Sequence, residues 1–183
     1  MDLLFTKDSA RNTTLSLPSG QAVYDYSTPS RGFHHEQTTI RKFRPDGGPP
    51  DDIGFIEFHS FHKDICQVRG KDFRPQSSSM WKSGLTFQSS NGQEYTWKRK
   101  LSTAELTDKF NNVVAIYEVM HTGILSGNPR PAKLSITVEG MQFLDEIVCT
   151  FSYIEQREQK QRQAANSAAA SSASSSAAAA AAC

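Results

Sequence analysis

The sequence predicts a mainly β (α+β) protein, about ten short strands in a sheet that encloses one hydrophobic C-terminal helix. Three observations carry that expectation. Before residue 140, short alternating or apolar runs are separated by Gly, Pro, Asn and Asp clusters, the punctuation of strands and turns. From Phe143 to Ile154, eight of twelve residues are apolar and spread nearly all round a helical wheel, so the helix must be enclosed on every side. The run is far shorter than the roughly 20 apolar residues of a membrane span and contains Asp145 and Glu146, so protein rather than lipid should enclose it.

Each element has its own signal. Leu3-Leu4-Phe5 is a short opening strand, and Asn12–Gly20, rich in Thr, Ser, Pro and Gly, contains a turn. Ala22–Thr28 alternates, with Tyr24 and Tyr26 on one face. Thr38–Arg44 is β-branched and basic, a strand with a wet face, and Pro45–Asp52 reads as a loop. Ile53–His59 is a stronger strand whose apolar phase shifts between Phe55 and Ile56, the mark of a bulge or of burial on both faces. Asp64–Arg69 is a strand ended by Gly70, whereas Lys71–Met80 has no clear pattern.

The turn at Asn91-Gly92 can be read to the residue. A two-residue loop would put Leu85 and Phe87 on the opposite face from Tyr95 and Trp97. A three-residue loop, Ser90-Asn91-Gly92, pairs Phe87 with Tyr95 and Leu85 with Trp97, gathering all four on one buried face. A one-residue slip inverts the faces, so the longer loop is expected, with Gly92 left-handed in a bulge. Ser102-Thr103-Ala104-Glu105 fits a capping box and predicts a short helical turn through Lys109. Val113–Met120 reads as a central strand, Thr122–Pro131 as a loop, and Leu134–Val138 as the last strand, leading through Gly140 into the helix at about residues 141–162. Residues 1–163 should form one domain, and the Ala/Ser stretch 164–183 a disordered low-complexity tail.

Charge is balanced, 20 basic against 19 acidic residues for a net +1, so no global field points to nucleic acid or to an anionic membrane, and no nucleic-acid partner is expected. Eleven Phe, five Tyr and two Trp supply a large aromatic core. Met1–Phe5 lacks a basic leader and a long apolar run, so no signal peptide, a cytoplasmic location and free thiols at Cys66, Cys149 and Cys183 are expected. No stretch is long enough for a transmembrane segment, and a monomer is expected.

The residues also resemble the fungal domain-of-unknown-function family 6593. The likeness runs through Asn12-Thr13-Thr14, Tyr24–Thr28, Thr38-Thr39-Ile40-Arg41 and Ile53–Glu57, then Asn91–Lys98, Val114–Tyr117, and Leu144–Val148 to Glu155-Gln156-Arg157. Through that family the chain is similar, more distantly, to the tubby C-terminal, LURP-one and scramblase-like group. That resemblance implies an antiparallel β-barrel of about 10–12 short strands around a hydrophobic C-terminal helix, twelve in the wider group, with no catalytic residues to carry over, and a scaffold that in some members meets membrane lipids through surface cations.

Candidate sites are few. His59-Ser60-Phe61-His62 with Cys66 has metal-ligand residue types, but on a strand His59 and His62 would face opposite ways and no second Cys pair completes a zinc set. His34-His35 falls in a loop. Cys149 in the apolar helix should behave as a small hydrophobe, and no nucleophile elbow, phosphate loop or His-Glu-x-x-His is present. No cofactor or metal is therefore expected, and no enzyme activity. Asp145 and Glu146 could be a buried acidic pair, or carboxylates favoured by the helix dipole. Arg41, Lys42 and Arg44 on one strand, and Lys98, Arg99 and Lys100 after Trp97, would bind an anionic lipid head group if they converged. Near-neutral net charge favours the alternative, an ordinary solvated face. The first expectation is thus a non-catalytic binding or scaffold domain of unknown ligand. The second is a peripheral membrane protein recognising anionic phospholipid or phosphoinositide head groups.

Overall fold

In the computed structural model, residues 1–29, 36–59, 62–73, 76–77, 84–121 and 129–180 are described. Thirteen strands form one antiparallel sheet: β1 Asp2–Phe5, β2 Thr13–Ser16, β3 Ala22–Ser27, β4 Gln37–Lys42, β5 Asp51–Glu57, β6 Ile65–Val68, β7 Lys71–Phe73, β8 Gln76–Ser77, β9 Gly84–Gln88, β10 Glu94–Arg99, β11 Thr103–Asp108, β12 Val113–Glu118 and β13 Lys133–Ile136. Consecutive strands are neighbours except β7 and β8, and β13 returns to pair with β1. The sheet is therefore two meanders joined between their first and last strands, curled into a nearly closed barrel. Across the seam, Phe73 of β7 meets Phe87 of β9 edge-on, ring centroids 6.0 Å apart.

The β9–β10 hairpin adopts the expected register, with Phe87 opposite Tyr95 and Leu85 opposite Trp97. Ser89 N–H donates to the Gln93 carbonyl at 2.9 Å, leaving a three-residue loop in which Gly92 takes φ 80°. Phe87, Tyr95 and Trp97 are buried, while Thr86 and Thr96 share a 2.9 Å hydroxyl hydrogen bond on the other face.

A 3-10 turn, Gly140–Phe143, leads into the helix α1, Leu144–Ala180, whose first three turns fill the lumen. Ile147, Val148, Cys149 and Phe151 are all 0% exposed, so the all-round apolar run is enclosed as expected. Phe151 packs against Phe5, Trp97 and Tyr117 at centroid distances of 5.6, 5.7 and 4.5 Å. Helix and wall approach most closely at Gly54, where a Cβ would lie 2.3 Å from the Gln67 carbonyl oxygen and 3.2 Å from Cys149 Sγ.

Several elements differ from the expectation. Thr13–Ser16 is a strand preceding the predicted turn, because Thr13 and Leu15 point inward and pair with β3. Ser102–Lys109 is not a helical turn: residues 103–108 are β11, with Ala104 and Leu106 fully buried and both edges paired. The capping-box residues fit a helix locally, but the ladders with β10 and β12 satisfy more backbone groups. The β4–β5 irregularity lies at Ile53, skipped between the pairs Ile40–Gly54 and Arg41–Asp52, rather than between Phe55 and Ile56. It lets Ile53 and Ile56, three apart, both turn inward. Asp51-Asp52 belongs to β5 and not to the preceding loop. The helix continues past residue 162 through Ala180, because alanine is the strongest helix former and nothing in the Ala/Ser stretch stops it. His34-His35, Met80-Trp81, most of the 122–131 loop and Cys183 lie outside the described residues.

Candidate functional site

Polar groups on the enclosed helix are consumed inside the barrel. Trp97 Nε1–H donates to Thr150 Oγ1 at 3.1 Å, and Thr150 donates to the Glu146 carbonyl at 2.7 Å. Tyr26 Oη–H donates to the Val148 carbonyl at 2.9 Å. Ser152 Oγ and Gln156 Nε2 both donate to the Ala10 carbonyl, at 2.7 and 3.0 Å, and Thr38 donates to Gln156 Oε1 at 3.0 Å. These bonds fix the helix's rotation and depth within the wall.

The first turn of α1 carries two acids with separate jobs. Asp145 Oδ1 accepts from Tyr24 Oη at 2.7 Å and Lys42 Nζ at 2.8 Å, and Oδ2 accepts from Arg69 Nη2 at 2.6 Å and Nε at 3.0 Å. Arg69 reaches it from the two-residue β6–β7 turn, where Arg69 and Gly70 take φ 49° and 77°. Burial alone would raise the Asp145 pKa, but the hydrogen bonds from Lys42, Tyr24 and Arg69 prevail and hold it below the ordinary carboxylate range. Glu146 turns the other way and accepts from Ser89 Oγ and from the Ser90 N–H at 3.1 Å. One acid thus ties the helix to β3, β4 and the β6–β7 turn, the other to the β9–β10 hairpin.

The six predicted lipid-contacting cations do not converge. In the sheet, six strands separate β4 from β10 along the path through β1 and β13. Arg41 pairs with Asp25 at 2.6 Å, Lys42 with Asp145, and Arg44 with Asp51 through Nε at 3.0 Å. Arg99 turns inward, 11% exposed, to Glu155 and to Glu158 at 3.3 Å on the helix, and Lys100 pairs with Glu105 at 2.6 Å. Lys98 donates to the neutral Asn111 Oδ1 at 2.7 Å and stands opposite Glu105 in the β10–β11 ladder. Arg69 was not in the predicted set. A non-glycine residue ahead of Gly70 in a tight turn is the only sequence sign of its role.

The His59/His62 pair lies beyond the end of β5, not on a strand, with ring centroids 6.2 Å apart. With Asp64, Cys66, Tyr153 and Arg157 these residues line an open cleft of about 900 Å³. Among the described residues, no three His, Cys, Asp or Glu side chains gather as metal ligands. Burial pushes the Cys66 thiol up to about 12 and the Cys149 thiol well above its usual value, so neither is an activated nucleophile. Among the described residues no helix is long and apolar enough to cross a membrane.

The fold and the helix contacts define a class: a small antiparallel β-domain, curled into a nearly closed barrel whose lumen is filled by its own C-terminal helix. Residues 8–160 match DUF6593, a family of unknown function, and the chain belongs to that family. No curated protein and no solved structure matches it.

Proposed function

We propose that this chain is a non-catalytic binding or scaffold domain acting through its outer surface. The observation that supports this is the occupied lumen: the space in which a barrel of this size could hold a small ligand is taken by Ile147, Val148, Cys149 and Phe151, all fully buried. A reducing, cytoplasmic setting suits the two buried thiols, Cys66 and Cys149. Kinship with the tubby C-terminal, LURP-one and scramblase-like group belongs to the same proposal, supported by the helix-in-barrel plan. The test is an amide NMR titration with candidate ligands, beginning with soluble inositol phosphates and lipid vesicles. Shifts confined to surface strands and turns are expected, and shifts centred on Ile147–Phe151 would overturn the reading.

A second reading, peripheral binding to anionic lipid head groups, is favoured by two details. Lys98 is held by a neutral amide, and Lys42 and Arg69 share the single carboxylate of Asp145, so this end of the barrel carries cations in excess of their bonded partners. The measurement is sedimentation with vesicles containing phosphatidylserine, in low and high salt. Salt-sensitive binding is expected, and its absence would remove this reading.

A further inference from the structure

At the end of the barrel where the helix begins, several large apolar side chains face solvent. Phe110, in the β11–β12 turn, is 72% exposed; Val138, between β13 and the helix, is 89% exposed; Val113 and Met141 are 39% and 43% exposed. The two segments are neighbours. Ala115 pairs with Ile136, and the Thr137 N–H donates to the Val114 carbonyl at 2.9 Å, which sets Val113 beside Val138. Met141 follows within one turn, its N–H directed at the Thr137 and Val138 carbonyls. Four of the five exposed large apolar residues among the described residues thus share one rim; the fifth, Leu101, stands alone in the β10–β11 turn at the other end.

Cations are interleaved with them. Lys109 Nζ sits 5.0 Å from the Phe110 ring centroid, and Lys98 Nζ is bonded to Asn111 in the same turn. Met141 lines a hollow of about 460 Å³ together with Lys42, Arg69 and the two helix acids Asp145 and Glu146. The carboxylate of Asp108 accepts from the Phe110 and Asn112 N–H groups at 2.8 Å each and from Asn112 Nδ2 at 2.9 Å, and its charge offsets that of neighbouring Lys109. Glu139, exposed beside Val138, is a second opposing charge.

We infer that this rim is the surface that docks on an anionic bilayer, with Phe110, Val138 and Met141 entering the interface and Lys98, Lys109, Lys42 and Arg69 meeting head-group phosphates. The inference rests on the peripheral-membrane reading above and assigns its contact face. Its chemistry is what selects a bilayer. Apolar tips on separate turns with ammonium groups between them match a surface whose acyl boundary and phosphates lie a few ångströms apart. The lysine stems can follow the apolar tips inward while their ends stay at phosphate level.

The experiment is co-sedimentation of the full chain with phosphatidylcholine vesicles, with and without phosphatidylserine. It compares wild type, the double variant Phe110→Asp/Val138→Asp, and Glu139→Lys. Both aspartates replace exposed side chains, so melting temperature and circular dichroism should stay at wild-type values. Wild type should bind the phosphatidylserine vesicles, the double variant should bind about tenfold less tightly or worse, and Glu139→Lys should bind more tightly. Equal binding by wild type and the double variant would overturn the assignment of this face while leaving a membrane role through other cations. No binding by wild type would remove both. A wild-type dimer in analytical ultracentrifugation that the double variant converts to monomer would assign the rim to self-association and overturn the inference.

Discussion

Replacing Phe151 with alanine tests the load carried by the enclosed helix. The ring is 0% exposed and lies among Phe5, Trp97 and Tyr117, with centroids 4.5–5.7 Å away. Burial of such a side chain is worth about 1.5–3 kcal/mol by transfer, and the cavity left behind adds to the loss, so a buried Phe→Ala change typically costs about 3–5 kcal/mol. The site favours the upper half of that range. Three aromatic partners lose contacts at once, and the wall behind them is held by continuous ladders from β10 through β13 to β1, which limits collapse into the void. For a domain of this size each kcal/mol shifts the melting temperature by roughly 2–4 °C, so a fall of about 8–20 °C is expected. Urea denaturation followed by intrinsic tryptophan fluorescence gives the free energy directly, with Val138→Ala, at an 89% exposed position, as a control expected to stay within about 0.5 kcal/mol. A loss below about 1 kcal/mol with an unchanged denaturant slope would mean that the lumen is not packed as described.

Three further changes probe the same architecture. Gly54→Ala places a methyl 2.3 Å from the Gln67 carbonyl oxygen, so a loss of about 1–3 kcal/mol is expected. Adding Cys149→Ala should fail to rescue it, because the closer contact is backbone; full rescue in chemical denaturation would put the close approach at the thiol instead. Thr150→Val leaves the Trp97 indole N–H without its acceptor and should cost about 1–3 kcal/mol, whereas a stability equal to wild type would show that the indole finds another partner. Asp145 has a folded-state pKa below its unfolded value, so its stabilisation is present above about pH 4 and is lost as pH falls through the folded pKa. Asp145→Asn should therefore shrink the difference in urea midpoint between pH 7 and pH 3. An undiminished difference would assign the acid sensitivity to other carboxylates.

Much of the barrel was legible because its evidence is local. The β9–β10 register followed from one constraint, that Leu85, Phe87, Tyr95 and Trp97 share a face, and only one loop length satisfies it. The helix was legible from an apolar run with no polar side. The misread segments are those in which local and long-range preferences disagree. Ser102–Glu105 carries a helix-start pattern, yet Ala104 and Leu106 alternate inward between two strands already committed to each other. Thr13–Ser16 holds one large apolar residue, Leu15, too few for a period, and its strand identity comes from β1 and β3 on either side. The cation cluster was read from sequence proximity, but Arg99 faces the helix while Lys98 and Lys100 face outward, as alternation along a strand requires. The Asp145 hub was beyond reach: Tyr24, Lys42 and Arg69 lie 121, 103 and 76 residues from it, and no local period links them.

The helix that plugs the barrel is encoded after every strand that surrounds it, and the first strand waits for the thirteenth, with Met1 bonded to the Ile136 carbonyl 135 positions away. As the chain leaves the ribosome, two half-built meanders with greasy inner faces have no filling until the residues near Phe151 emerge. Such non-local order slows folding and leaves the nascent chain open to aggregation in the meantime. A premature stop between β13 and Ile147 would therefore yield an unplugged shell rather than a shorter working domain. Chaperone demand should fall sharply once synthesis has passed that point.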